Sequence, residues 1–192
     1  KTLKDCDGIL VPGGFGKRAT KGKLAAITYA REHHIPFLGL CYGMQLAAIE
    51  YASNVLYIKD ANSTEIDKHT KNPVISLQRG RTTSEDMGGT LRLGLYDCEI
   101  KEGTKAFLAY QKKNISERHR HRYEFNNKYL EVFEKSDMVI SGFNTKYHLV
   151  EMVELKNHPW FVAVQFHPEF LSRPLRPHPL FRDFIGAIIS QN

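Results

Sequence analysis

A cysteine set between two glycines, in Leu38-Gly39-Leu40-Cys41-Tyr42-Gly43-Met44-Gln45, carries the strongest chemical signal in the sequence. The apolar run Ile35 to Leu40 before it reads as a buried strand. Tyr42 to about Ser53, with Met44, Leu46, Ala47, Ala48 and Tyr51, reads as a largely buried helix. A cysteine at such a strand-to-helix turn has the layout of a nucleophile elbow in which Cys replaces Ser. The turn crowds neighbouring Cβ atoms, so glycine on either side lets the chain bend while Cys41 is held out, strained, at the sheet edge. The N–H groups of the helix behind it favour thiolate over thiol and can donate to an oxyanion. A buried structural cysteine is the plainer alternative, and Cys6 and Cys98 are read that way.

A thiolate nucleophile needs a base, and His167 is the best placed of the nine histidines. In Gln165-Phe166-His167-Pro168-Glu169 it follows the apolar run from Trp160, which puts it at the carboxyl edge of an α/β sheet, where such sites form. Glu169 can reach back to one imidazole nitrogen and fix its tautomer, completing Cys-His-Glu in the roles a triad requires. Taken alone, His167 would pass for a strand-end histidine satisfied by solvent; Cys41 changes that reading. A second glycine cluster, Pro12-Gly13-Gly14-Phe15-Gly16, closes the short apolar run Asp7 to Val11. It lacks Gly-Lys-Ser/Thr at phosphate-loop spacing, so nucleotide binding there is discounted. Beside Cys41, the Gly14 and Tyr42 N–H groups would form an oxyanion hole.

These residues need a frame. The chain has 192 residues, 42% of them hydrophobic, enough for one domain with its own core. Strand, helix, strand, helix from Asp7 to Ser53 points to an α/β fold: a mostly parallel open sheet with helices on both faces. Val74 to Leu77 fits a strand, and Leu91, Leu93 and Leu95 alternate as in a half-exposed one. Tyr129, Leu130 and Phe133 suit a short helix. Strands are expected over Met138 to Phe143, Leu149 to Leu155 and Trp160 to Phe166. Leu180, Phe181, Phe184, Ile185 and Ile188 mark one face of a closing helix.

Three cysteines without CxxC spacing argue against a disulfide framework and a zinc site. No run approaches the roughly 18 consecutive apolar residues of a membrane span, and the start shows no signal pattern. A cytoplasmic protein without membrane contact is expected. The net charge of +6 admits anionic partners. Arg118-His119-Arg120-His121-Arg122 resembles a nucleic-acid patch only superficially; with no binding fold around it, a solvated face or a loop handling a small anion fits better.

The glycine loop at Pro12 to Gly16, the elbow Gly39 to Gln45 and the run Gln165 to Glu169, in this order, resemble the class I (triad) glutamine amidotransferases. Asp60 to Glu65, Met87 to Gly94, Arg118 to Glu124 and Asn157 to Phe161 look like the CTP synthase branch of that family, from about Leu3 to the end. The resemblance implies a flavodoxin-like sheet, with Cys41 as nucleophile, His167 as acid/base and Glu169 as its orienting partner. Gly14 and Tyr42 would supply the oxyanion N–H groups. The implied substrate is L-glutamine, with Gln45, Glu65 and Arg122 around its amino-acid end and Phe15 and Tyr123 lining the pocket. A carboxylate for the α-ammonium and a guanidinium for the α-carboxylate suit that task.

The resemblance further implies no cofactor in this domain. ATP and Mg2+ would belong to a separate amidoligase domain that aminates UTP to CTP, in a homo-oligomeric full-length enzyme. That domain and further N-terminal strand-helix segments would lie outside this chain. Gln78 to Asp86 is shorter than the polar loop implied there, and Tyr42 stands where the family has a small aliphatic residue, a difference bearing on pocket shape. The competing readings are another class I amidotransferase, a γ-glutamyl hydrolase, or a catalytically silent regulatory module.

Overall fold

The computed structural model describes residues 3–77 and 91–191. The short polar loop expected over 78–86, and residues 87–90 of the motif that follows it, lie outside the described residues. In chain order the first half runs β1 (Ile9–Val11), α1 (Thr20–Glu32), β2 (Phe37–Leu40), α2 (Tyr42–Asn54), β3 (Ala61–Ser63) and β4 (Asn72–Leu77). The second half runs β5 (Arg92–Ile100), α3 (Lys105–Tyr110), β6 (Asn114–His121), β7 (Tyr123–Phe125), α4 (Leu130–Glu134), β8 (Met138–Asn144), β9 (Leu149–Leu155), β10 (Phe161–Val164) and α5 (Pro179–Ile189).

Seven strands form one sheet in the order β1-β2-β10-β9-β8-β5-β6, and β3-β4-β7 form a second, smaller one. The expectation of a mostly parallel sheet needs correction. Within the described seven-stranded sheet β1, β2 and β10 alone pair in parallel; β10 to β9, β9 to β8, β8 to β5 and β5 to β6 are all antiparallel. The connections explain this. Residues 145–148 and 156–160 are too few to carry a parallel crossover, which needs a dozen or more residues, so these strands return as hairpins. The parallel part is the part that holds the site, because β2 and β10 run side by side and end together at Leu40 and Val164.

Helices cover both faces, as expected, and the strands alternate their side chains between two cores. Phe37, Phe161 and Ala163 face the core shared with α1 and α2, while Leu38, Leu40, Val162 and Val164 face the one shared with α3 and α5. On α5, Leu180 and Phe184 are buried as read from the sequence, but Ile185 turns outward. The phase of β5 is also reversed. Leu93 and Leu95 are 61% and 59% exposed, and Arg92 is the buried residue. Arg118 to His121 of the arginine-histidine run form a strand and not a loop, and one face of that strand is solvated. They lie in β6, paired with β5, where His119 and His121 point inward and Arg118 and Arg120 outward; Arg122 follows in the bend before β7.

Candidate active site

Cys41 stands between β2 and α2 with φ 51° and ψ −100°, a left-handed backbone that costs a non-glycine residue about 1–3 kcal/mol. The flanking glycine at 43 is a packing requirement, since a Cβ there would sit 2.3 Å from the Val11 carbonyl oxygen. Donation from the Cys41 N–H to the Val164 oxygen, at 2.7 Å, locks the elbow onto β10. Of the other cysteines, Cys98 is buried as expected and Cys6 is exposed.

His167 lies three residues beyond β10, and its N–H donates to the Arg118 oxygen at 2.8 Å. Its ring stacks on Phe170 with centroids 4.9 Å apart. Nδ1 lies 2.6 Å from Glu169 Oε1. A carboxylate only accepts, so Nδ1 carries a proton, which leaves Nε2 as the ring atom that faces the chemistry; that Nε2 is buried with no hydrogen-bond partner among the described residues. Although burial works against its charge, Glu169 is held below the usual carboxylate range by the bond from His167. The two halves of the site meet over the glycine loop. A Cβ at Gly13 would lie 2.9 Å from His167 Cε1 and 3.7 Å from Cys41 Cβ.

Cys41 and His167 open onto one cavity of about 710 Å³. Gly14, Phe15 and Gln45 line it on the side of the glycine loop and α2, and Glu65, Arg122 and Tyr123 on the side of the smaller sheet. Glu169 stands behind His167, and Tyr42 lies beneath the loop. Leu91, Arg120 and His121 also line the cavity, and the sequence reading assigned them no place there. Phe15 is 85% exposed and so forms rim, not wall.

One expectation fails for a physical reason. Burial pushes the Cys41 thiol up to about 12; the Tyr42 N–H works against this, and the charges of Glu169, Glu124 and Glu65 add to it. Desolvation and three carboxylates thus oppose the helix N-terminus, and a negative sulfur here needs further support.

The Tyr42 side chain is not among the residues that line the cavity. Its side chain is buried, and its hydroxyl hydrogen-bonds the Gly16 oxygen and, at 3.1 Å, Thr20 Oγ1. The Gly16 N–H donates to Glu65 Oε1 at 2.9 Å, so the glycine loop is held from both sides. Tyr42→Phe is expected to lose roughly 1 kcal/mol of stability, the usual worth of a hydrogen bond, and to lower kcat several-fold with KM little changed. Paired thermal melts and steady-state rates check this.

The sequence matches the glutamine amidotransferase class-I family over residues 1–187. The glutaminase domain of Trypanosoma brucei CTPS, solved with bound acivicin, superposes with a TM-score of 0.92 at 39% identity, over 98% of this chain and 73% of that one. The chain belongs to the class I glutamine amidotransferases, in their CTP synthase branch. CTP synthases of Treponema denticola and Bacillus subtilis are 62% and 60% identical over 97% and 95% of the chain. This amidotransferase chain spans about a third of their length, 35% and 34% respectively.

Behind the cavity wall of this amidotransferase lies a buried ionic cluster that sequence reading missed. Arg92 Nη2 lies 2.6 Å from Glu151 Oε1, and Nη1 lies 3.2 Å from Glu124 Oε1. The guanidinium also sits over the Tyr96 ring, 4.4 Å from its centroid. Beside it, His121 Nδ1 meets the Tyr123 carbonyl at 3.1 Å, which requires a proton on Nδ1, and His121 Nε2 meets His119 Nδ1 at 2.8 Å. The tautomers follow: Nδ1–H on both rings. Burial and the Arg92 charge push both imidazoles well below their ordinary range, so they stay neutral.

Proposed function

We propose that this domain hydrolyses L-glutamine through a Cys41 thioester and supplies the ammonia to an amidoligase domain of the full-length protein. There, ATP and Mg2+ serve the amination of UTP to CTP, in a cytoplasmic homo-oligomer. The observation that carries the reading is the joint placement of Cys41 and the His167–Glu169 pair around Gly13, at the mouth of one cavity.

In this reading His167 Nε2 takes the Cys41 proton as glutamine binds, and Sγ attacks the carboxamide carbon. Tyr42 N–H and Gly14 N–H face the oxyanion. The C–N bond breaks as His167 returns the proton to nitrogen, releasing ammonia. Water, deprotonated by the same imidazole, then attacks the thioester; the C–S bond breaks, Sγ regains its proton and glutamate leaves. Glu65 meets the α-ammonium and Arg122 the α-carboxylate, with Gln45, Phe15 and Tyr123 completing the pocket. No group of three or more metal-ligating side chains occurs among the described residues, and no described helix is long and apolar enough to cross a membrane.

The test is intact mass spectrometry of the full-length protein after treatment with an electrophilic glutamine analogue. The expected result is one adduct, mapped to the buried Cys41 and blocked by excess glutamine. An adduct on exposed Cys6 alone would overturn the assignment. Glutamate release from glutamine separates this reading from a silent module, and UTP-dependent use of the ammonia separates it from a γ-glutamyl hydrolase.

A further inference from the structure

Gln165 belongs to the run that marks His167, yet its side chain has no task in the mechanism above. It is fully buried, its N–H donates to the Glu151 oxygen at 2.8 Å, and its carboxamide nitrogen lies 3.9 Å from Cys41 Sγ. Which end of a carboxamide faces a neighbour is decided by the network around it. Here the network starts from a group that cannot flip. The Tyr123 carbonyl accepts from Gln45 Nε2 at 2.9 Å, which orients the Gln45 amide. The same Nε2 donates its second hydrogen to Gln165 Oε1 at 3.3 Å. Gln165 is thereby oriented with its N–H toward sulfur and its oxygen away. Both Gln45 hydrogens are then committed, and only its oxygen remains for a ligand in the cavity.

We propose that Gln165 is a hydrogen-bond donor to the Cys41 thiolate, aimed by Gln45 acting as a positioning residue. This rests on Cys41 being the nucleophile. The donor matters because the site is otherwise adverse to a negative sulfur: Cys41 is 4% exposed, and the carboxylates of Glu169, Glu124 and Glu65 act on it. A thiol accepts only weakly, whereas a thiolate accepts a charge-assisted bond, so the contact strengthens as the proton moves to His167. His121, Arg120 and Arg122 line the same cavity as Cys41, and the tests leave all these groups in place.

The experiment uses the full-length protein and iodoacetamide, a small probe that needs no glutamine pocket. Alkylation of the Cys41 peptide is followed against pH by mass spectrometry, with exposed Cys6 as internal reference. Gln165→Met keeps the length and removes the donor. It is expected to slow Cys41 alkylation relative to Cys6 roughly 10- to 100-fold at a given pH, a displacement of the profile by about one to two pH units, and to cut kcat roughly 10-fold or more, with KM for glutamine changed less than twofold. Gln45→Met, which releases the Gln165 amide to flip, is expected to move the profile in the same direction by less, and it decides the matter if Gln165→Met does not fold. An unmoved Cys41 profile in the folded variants overturns the proposal. Glutamine hydrolysis surviving in Cys41→Ala would instead overturn the reading on which it rests, so the two failures are distinct.

Discussion

Cys41→Ala in the full-length protein is expected to lower glutamine hydrolysis by roughly five to six orders of magnitude, the scale of loss when a nucleophile is taken from a coupled triad. In the proposed reaction, amination driven by added ammonium salt needs no thiolate and belongs to the amidoligase domain, so it is expected to persist. The substitution is a clean one. Alanine keeps the Cβ and therefore inherits the same φ of 51°, so the strain at the elbow is the same in both proteins. The Val164 bond is made by the main chain and remains. What is lost is one sulfur at the edge of an existing cavity. Parallel assays of glutamate release and of glutamine- and ammonia-driven CTP formation read the two half-reactions separately. Glutamine-driven turnover at the native rate would remove Cys41 from the mechanism.

The legibility of the proposed triad has a physical basis. A nucleophile elbow writes its requirements into adjacent residues: an apolar strand, a cysteine and a glycine whose missing Cβ makes room for the Val11 carbonyl. His167 and Glu169 are likewise neighbours in sequence, so their pairing needed no knowledge of the fold. Arg92 shows the opposite case. Its partners lie 32 and 59 residues away, and the alternation of Leu91, Leu93 and Leu95 invites the wrong phase. An apolar residue can stay on the surface at little cost, whereas the buried charge is tolerated only because two carboxylates meet it, and nothing local announces them. The run Arg118 to Arg122 hid a strand for the same reason, because His119 and His121 act as core residues joined by a hydrogen bond from one ring to the other. The sheet's direction was legible in principle. Between Met138 and Phe166 the connections are too short for crossovers, and that length was a stronger signal than the alternation seen at the start of the chain.

Arg92→Met is expected to be the most damaging substitution away from the proposed catalytic groups. Arg92 ties the start of β5 to Glu124 on β7 and Glu151 on β9, and Tyr123, next to Glu124, forms cavity wall. Removing the guanidinium takes from buried Glu151 the cation that meets it, and breaking a buried ion pair in this way costs about 3–5 kcal/mol. The pH dependence follows from Glu151. Burial raises its pKa above the ordinary carboxylate value, with Arg92 as the main opposing influence. For a carboxyl group whose folded pKa is raised, the stabilising contribution is full below the unfolded value and is lost as pH rises through the folded one. Without Arg92 the folded value climbs further, so the deficit of the variant is expected to be largest at neutral pH and to shrink as pH falls toward 5. Hydrogen exchange of the β5, β7 and β9 peptides in the full-length protein, at pH 7.5 and 5.5, measures this where it acts. Adding Glu151→Gln to Arg92→Met removes the stranded charge and is expected to restore protection at the higher pH. A deficit independent of pH, unrelieved by that second change, would mean that Arg92 acts through packing against Tyr96 and not through its charge.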